Sequence, residues 1–113
     1  MESCFWYDGV MKYIQVWLSC VDKVEANKIA KVLLEKRLIA CAKQILVSSD
    51  FRWKGKIEHG EEVLLILDSR EDLFADIESE VSKLHSYETF VLQSLPLSNI
   101  SKDALKWLEG ELT

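Results

Sequence analysis

Residues Leu38 to Ser69 read LIACAKQILVSSDFRW, then KGK at 54–56, then IEHGEEVLLILDS. Val, Ile, Leu, Phe and Trp crowd both arms, and Gly55 sits between them. That is the local pattern of a β-hairpin with a tight turn at Lys54-Gly55-Lys56. A globular strand usually runs about 5–6 residues, and these two read as roughly twice that. A hairpin so long overhangs any small sheet, so its tip needs another surface to lean on. The unbroken apolar run Val63-Leu64-Leu65-Ile66-Leu67 marks a central strand covered on both faces.

Upstream, KYIQVWLSC from Lys12 to Cys20 is a first strand, with Tyr13, Ile14, Val16, Trp17 and Leu18 placing apolar groups on both faces. Asp22 then opens a helix. Its carboxylate suits the free N–H groups of the first turn, and Glu25 is spaced to reach back, as in a capping box. Ala26, Ile29, Ala30, Leu33 and Leu34 recur at helical spacing with lysines opposite, and the helix is expected to end near Arg37. Downstream, Ser69-Arg70-Glu71-Asp72 has the spacing of a second capping box, followed by the stripe Leu73, Ile77, Val81, Leu84. His85-Ser86-Tyr87 is the exit. Thr89 to Leu95 reads as a fourth strand stopped by Pro96. Asn99 and Ser101 are candidate caps for a last helix over 101–112, with Trp107 expected to pack it onto the sheet. Residues 1–11, MESCFWYDGVM, show no clean periodicity. They are expected to form an N-terminal tail, with Phe5, Trp6 and Tyr7 as an aromatic cluster and Met11 as an alternative start. Residues 12–113 are expected to form a single domain.

The order is β-α-β-β-α-β with an added C-terminal helix. Two βαβ halves of this kind build an α+β ferredoxin-like sandwich, with both helices on one face of a four-stranded antiparallel sheet. The other face is then a problem. Strands one, three and four are apolar on both sides, and exposed apolar area costs about 25 cal/mol per Å². The last helix covers part of that face at most; the remainder predicts self-association.

Composition narrows the function. At 113 residues, 49% hydrophobic and 29% charged, the chain fits one ordinary globular core. A net charge of −5 argues against nucleic acid, whose phosphates call for a basic face. Lys28, Lys31, Lys36 and Arg37 lie close in sequence, but Glu25 and Glu35 interleave them as on a solvated helix face. No window approaches the ~18 apolar residues of a membrane span, and no secretory n- and h-region pattern is present. Cys4, Cys20 and Cys41 are odd in number and lack C-x-x-C spacing, so a reducing cytoplasm is the expected location. Motifs for a nucleophile elbow, a phosphate loop, a dinucleotide fold or a zinc protease are missing, so catalysis is not expected.

Several segments together resemble one known family. Ala26-Asn27-Lys28-Ile29-Ala30 through Leu38-Ile39-Ala40-Cys41 resembles "A..IA..L.E.RLAAC", and Trp53-Lys54-Gly55-Lys56 resembles "WEGK". Glu62-Val63-Leu64-Leu65-Ile66 resembles "EVLLIIKT", and His85-Ser86-Tyr87-Glu88 resembles "HPYE". Leu95-Pro96 and Leu105-Lys106-Trp107-Leu108 resemble the closing "LP" and "YL.WL". The likeness is to the CutA divalent-cation tolerance proteins and runs in order from Tyr13 to Leu112. It implies a ferredoxin-like protomer in a tight homotrimer, similar in architecture to PII signalling proteins, and an association with tolerance to copper and other divalent cations. Departures are visible. Lys43 to Ser49 lacks the Pro-Gly of the family's "NIIPGVTS" and is one residue shorter, which bears on a bulge there. Leu18 falls where some bacterial members carry a cysteine discussed as a copper ligand; Cys20, two residues on, shares its strand face. The usual "PE" after "HPYE" falls on Phe90-Val91, and Ala104 replaces the tyrosine of "YL.WL".

The candidate metal ligands are therefore His85, Glu88 and Cys20. Imidazole is a common ligand for Cu²⁺ and Zn²⁺, and Glu88 adds a hard oxygen. His85 just past a helix also suits a purely structural part at the helix C-terminus. Cys41 reads as a small buried hydrophobe. His59 with Glu58, Glu61 and Glu62 is a loose acidic cluster near the turn, and Trp53 is an aromatic anchor suited to docking on a neighbour. Two functional expectations follow. One is a cytoplasmic homotrimer that binds Cu²⁺ or another divalent cation weakly and serves metal tolerance. The other is a non-catalytic PII-like signalling or scaffold trimer that binds a partner or small metabolite in inter-subunit clefts.

Overall fold

A computed structural model describes residues 6–7 and 10–113, with side chains from Lys12 onward. Four strands and three helices follow a short ribbon in which Trp6–Tyr7 pairs with Val10–Met11. The side chains of the expected aromatic cluster, and Cys4, lie outside the described residues. The main elements are β1 (Tyr13–Cys20), α1 (Lys23–Glu35), β2 (Cys41–Trp53), β3 (Lys56–Arg70), α2 (Phe74–Leu84), β4 (Leu92–Pro96) and α3 (Lys102–Glu111). The sheet order is β2-β3-β1-β4, and every pairing is antiparallel. This is the ferredoxin-like arrangement expected of βαββαβ.

Alternation along the strands sorts the two faces. Ile14, Val16, Leu18 and Cys20 of β1 and Val63, Leu65 and Leu67 of β3 are buried against Ile29 and Leu33 of α1 and Ile77 and Val81 of α2. Cys20 and Leu18 do share one face. The opposite, open face carries Trp17, Leu64, Ile66, Ile45 and Phe51, aligned by the register Trp17↔Ile66, Ile45↔Leu64 and Phe51↔Glu58. Ile45 and Phe51 are exposed, and Trp17, Leu64 and Ile66 only half-buried. One end of this face is covered. Tyr13 is buried there, and its phenol is held above its usual range by burial and then by the nearby Glu109 carboxylate of α3.

The hairpin is longer than the sheet that carries it. β2 has 13 residues and β3 has 15, while β1 ends at Cys20 opposite Val63. Beyond Val63 the two arms run on alone to a two-residue loop, Lys54-Gly55, closed by the Trp53↔Lys56 pair. Both loop residues have positive φ, 52° and 82°, as a type I′ turn requires. Lys56, expected within the turn, is instead the first residue of β3. The pairing from Cys41↔Asp68 to Trp53↔Lys56 is continuous, so β2 runs straight through Ile45 to Ser49 without a bulge.

Some boundaries differ from expectation, each for a local reason. Ser69 does not cap a helix. It is the penultimate residue of β3, and its buried hydroxyl donates to the Leu38 carbonyl at 2.6 Å. The chain then turns through one 3-10 turn, Glu71–Leu73, before α2 begins. β4 starts at Leu92 rather than Thr89, and Pro96 is its last paired residue, opposite Ile14. Pro96 lies on an edge strand, where a missing N–H is tolerated. Trp107 is exposed rather than packed on the sheet; Leu108 and Leu112 join α3 to the core.

α1 ends in a Schellman motif without glycine. Leu38 N–H donates to Leu33 O and Arg37 N–H to Leu34 O, both at 3.0 Å, with Arg37 at φ 59°. The left-handed turn aims the Arg37 guanidinium at the carbonyls of Glu111 and Gly110, 2.9 and 2.7 Å away. One residue thus closes α1 and satisfies the open end of α3.

Candidate functional site

The first candidate site lies where β1, the start of α1 and the exit of α2 meet. Asp22 caps α1 by accepting the Glu25 N–H at 2.9 Å. Glu25 is buried at 6% exposure and reaches back to Val21 N–H at 2.9 Å, one residue before the N-cap. Its second oxygen accepts the Ser86 N–H at 2.6 Å, 61 residues away in sequence. His85 caps α2, but its ring turns away from that helix end. Nε2–H donates to the Ser19 carbonyl at 2.8 Å, and Nδ1 accepts the Tyr87 N–H at 3.1 Å. The imidazole side chain is fully covered, stacked on Phe90 at 5.3 Å and tilted against Tyr87 at 4.8 Å.

Among the described residues, Cys20, Glu25 and His85 bring a thiol sulfur, a carboxylate oxygen and an imidazole nitrogen within 4.8 Å of one another. The structure thus brings His85 and Cys20 together. Glu25 completes the group, although its sequence spacing pointed only to a cap. Glu88 is not part of it. Its exposed carboxylate lies 4.0 Å from the Lys54 ammonium at the hairpin tip.

The donor types suit a borderline-soft cation such as Cu²⁺ or Zn²⁺. Their present bonds oppose its entry. Burial, followed by the Glu25, Glu62 and Asp22 charges, pushes the Cys20 thiol up to about 12, so it is protonated at neutral pH. Burial alone would raise the Glu25 carboxyl too, but the Val21 and Ser86 donors and His85 outweigh it and hold the group below its usual range. Both His85 nitrogens are engaged. Coordination here would have to release a hydrogen bond of His85 and a thiol proton.

The second candidate is a cleft of about 480 Å³ between the hairpin tip and the loop after α2. Phe51, Trp53 and Tyr87 supply aromatic walls, with Glu58 and Glu88 among the lining residues. Tyr87 is pinned there because its hydroxyl donates to Glu62 at 2.7 Å. His59, also in the wall, is held between Asp50 at 2.7 Å and Glu61 at 3.0 Å. Those hydrogen bonds raise its pKa above the ordinary histidine value. The acidic residues near His59 in sequence therefore sort by strand parity. Glu61 shares its side of the ribbon, Glu58 and Glu62 do not, and Asp50 arrives from the facing strand.

Cys41, expected to be buried, is partly exposed on the open face, with its sulfur 3.6 Å from the Lys43 ammonium.

A four-stranded antiparallel sheet in the order β2-β3-β1-β4, carrying a long hairpin and flanked by helices, defines a ferredoxin-like α+β protein. Residues 14–111 match the family model described as CutA1 divalent ion tolerance protein, and the chain belongs to that family. It is 36% identical over 94 residues to the divalent-cation tolerance protein CutA of Archaeoglobus fulgidus, covering 83% of this chain and 92% of that one. It is 37% identical over 98 residues to the CutA of Pyrococcus horikoshii, covering 87% and 96%. Among solved structures, CutA1 from Pyrococcus horikoshii superposes with a TM-score of 0.84 at 35% identity over 88% of this chain and 98% of that chain. A structure from Archaeoglobus fulgidus described as a periplasmic divalent cation tolerance protein gives 0.86 at 34% identity over 88% and 97%.

Proposed function

We propose that this protein is a cytoplasmic, non-catalytic homotrimer that binds a divalent cation weakly, copper foremost, and contributes to metal tolerance. The observation that carries the reading is the convergence of Cys20, Glu25 and His85 within 4.8 Å in a chain of the divalent ion tolerance family. The competing bonds of those residues give a physical reason for weak affinity. Self-association is supported by the open face around Trp17, Leu64 and Ile66 and by a two-stranded overhang, a form that is marginal in water by itself. The test is Cu²⁺ titration calorimetry on wild type, His85→Ala and Cys20→Ser, alongside the metal content and sedimentation mass of the native protein. Both variants are expected to lose heat of binding. An isotherm for His85→Ala that matches wild type removes this histidine as a ligand.

A second reading is favoured by the cleft at the hairpin tip. It is a non-catalytic PII-like trimer whose clefts take a small metabolite, with metal incidental. The cleft volume falls in the range of small-molecule sites, roughly 300–1,000 Å³.

A further inference from the structure

The cleft beside the hairpin tip combines aromatic faces with two carboxylates, one of them already facing an ammonium. Phe51, Trp53 and Tyr87 present three rings, and Glu58 and Glu88 stand with them. His59 is held between Asp50 and Glu61, so its imidazolium is outnumbered by two carboxylates. The chain as a whole carries −5. One group already displays what such a surface attracts. The Lys54 ammonium lies 5.5 Å from the centroid of the Trp53 ring and 4.0 Å from a Glu88 oxygen. An ammonium over an indole and beside a carboxylate is the arrangement of a cation–π site. Lys54 is tethered at the first position of the two-residue turn and is largely exposed, so it occupies the rim and leaves the cleft body free.

We propose that this cleft binds an organic polycation of the aliphatic di- or polyamine class, one ammonium taking the place of Lys54 between Trp53 and Glu88 and another facing Glu58. The proposal rests on the reading of the clefts as metabolite sites and names the chemistry of the ligand. A strongly hydrated metal ion gains little from ring faces, whereas an alkylammonium also buries its methylenes against them.

The test is calorimetric titration of the purified oligomer with spermidine at near-physiological ionic strength. Wild type is expected to bind saturably. Trp53→Ala and Glu88→Gln are each expected to weaken binding by about three- to tenfold. Lys54→Asn removes the resident ammonium while suiting the type I′ turn, and it is expected to tighten binding. A structural defect cannot produce that gain. Glu78→Gln, on the exposed face of α2, controls for diffuse attraction to an acidic protein. If Glu78→Gln weakens spermidine as much as Glu88→Gln does, or if Lys54→Asn fails to tighten it, the proposal is overturned. ATP serves as the anionic probe. Saturable ATP binding lost in Trp53→Ala, with no spermidine binding, overturns the polyamine assignment and leaves the cleft reading standing. No binding of either probe overturns both.

Discussion

Glu25 illustrates how much one side chain can carry. Its two oxygens accept from Val21 and Ser86, joining the start of α1 to the loop after α2. Glu25→Gln keeps the shape but turns an NH₂ toward one of those N–H donors. We expect it to destabilise the fold by about 1–3 kcal/mol in urea unfolding, the usual cost of a buried unmatched donor. His59 gives a prediction of opposite pH sense. Its folded pKa is raised by Asp50 and Glu61, so the stability it adds is fully present below its unfolded value, about 6.5, and fades as pH rises through the folded value. The gap in thermal midpoint between wild type and His59→Gln should therefore be largest near about pH 6 and close toward about pH 9. His85 and Cys20 were legible as candidate ligands because imidazole and thiol are rare and chemically marked. Glu25 was legible only as a cap, since nothing local announces a bond to a residue 61 positions away. Of the acidic residues grouped with His59 in the sequence, Glu61 does meet it, whereas strand parity sends Glu58 and Glu62 to the other side of the ribbon. Asp50 was hidden because it arrives from the facing strand.

At the scale of elements, the hairpin depends on its two-residue loop. Gly55 sits at φ +82°, where a Cβ meets no neighbour but strains the backbone. Gly55→Ala should cost about 1–2 kcal/mol, and hydrogen exchange should show the loss first in amides of 50–59, far from the core. The strands and the three helices could be read from their periods of two and 3.6 because each buries one continuous stripe. The errors cluster where a short polar motif had two uses. Ser69 to Asp72 has capping-box spacing, yet Ser69 remains in β3 because its hydroxyl has a buried carbonyl to meet at Leu38. Trp107 looked like a core residue by size, but Leu108 and Leu112 face the sheet end, and the indole lies at 43% exposure.

For the molecule as a whole, the overhang sets the shape. The radius of gyration is 15.0 Å, against about 13 Å for a compact chain of this length. Ile66 stands in the middle of the open face, opposite Trp17 and Lys43. Ile66→Lys would bury an unpaired ammonium if that face is covered by another copy, at a cost of several kcal/mol. We expect the variant to sediment as monomer at micromolar concentration while keeping its helix and strand content. An unchanged mass would show that the open face is not the contact. That face was foreseeable from the doubly apolar strands, whereas the cleft was not. Its walls come from the tip and from residues 87–89, which approach only because β1 stops seven residues short of the turn-proximal end of β3.

The straight pairing of β2 with β3 also governs how this family member can drift in length. In an antiparallel ribbon, hydrogen-bonded and non-hydrogen-bonded rungs alternate, and a two-residue loop closes only on the hydrogen-bonded kind. A single inserted residue would send every side chain beyond it to the wrong side. Neutral length changes here are therefore quantised. The ribbon grows or shrinks by two rungs at once, four residues together, moving its tip by about 7 Å. Tips in descendants of this chain should be found at discrete reaches rather than at a continuum of them.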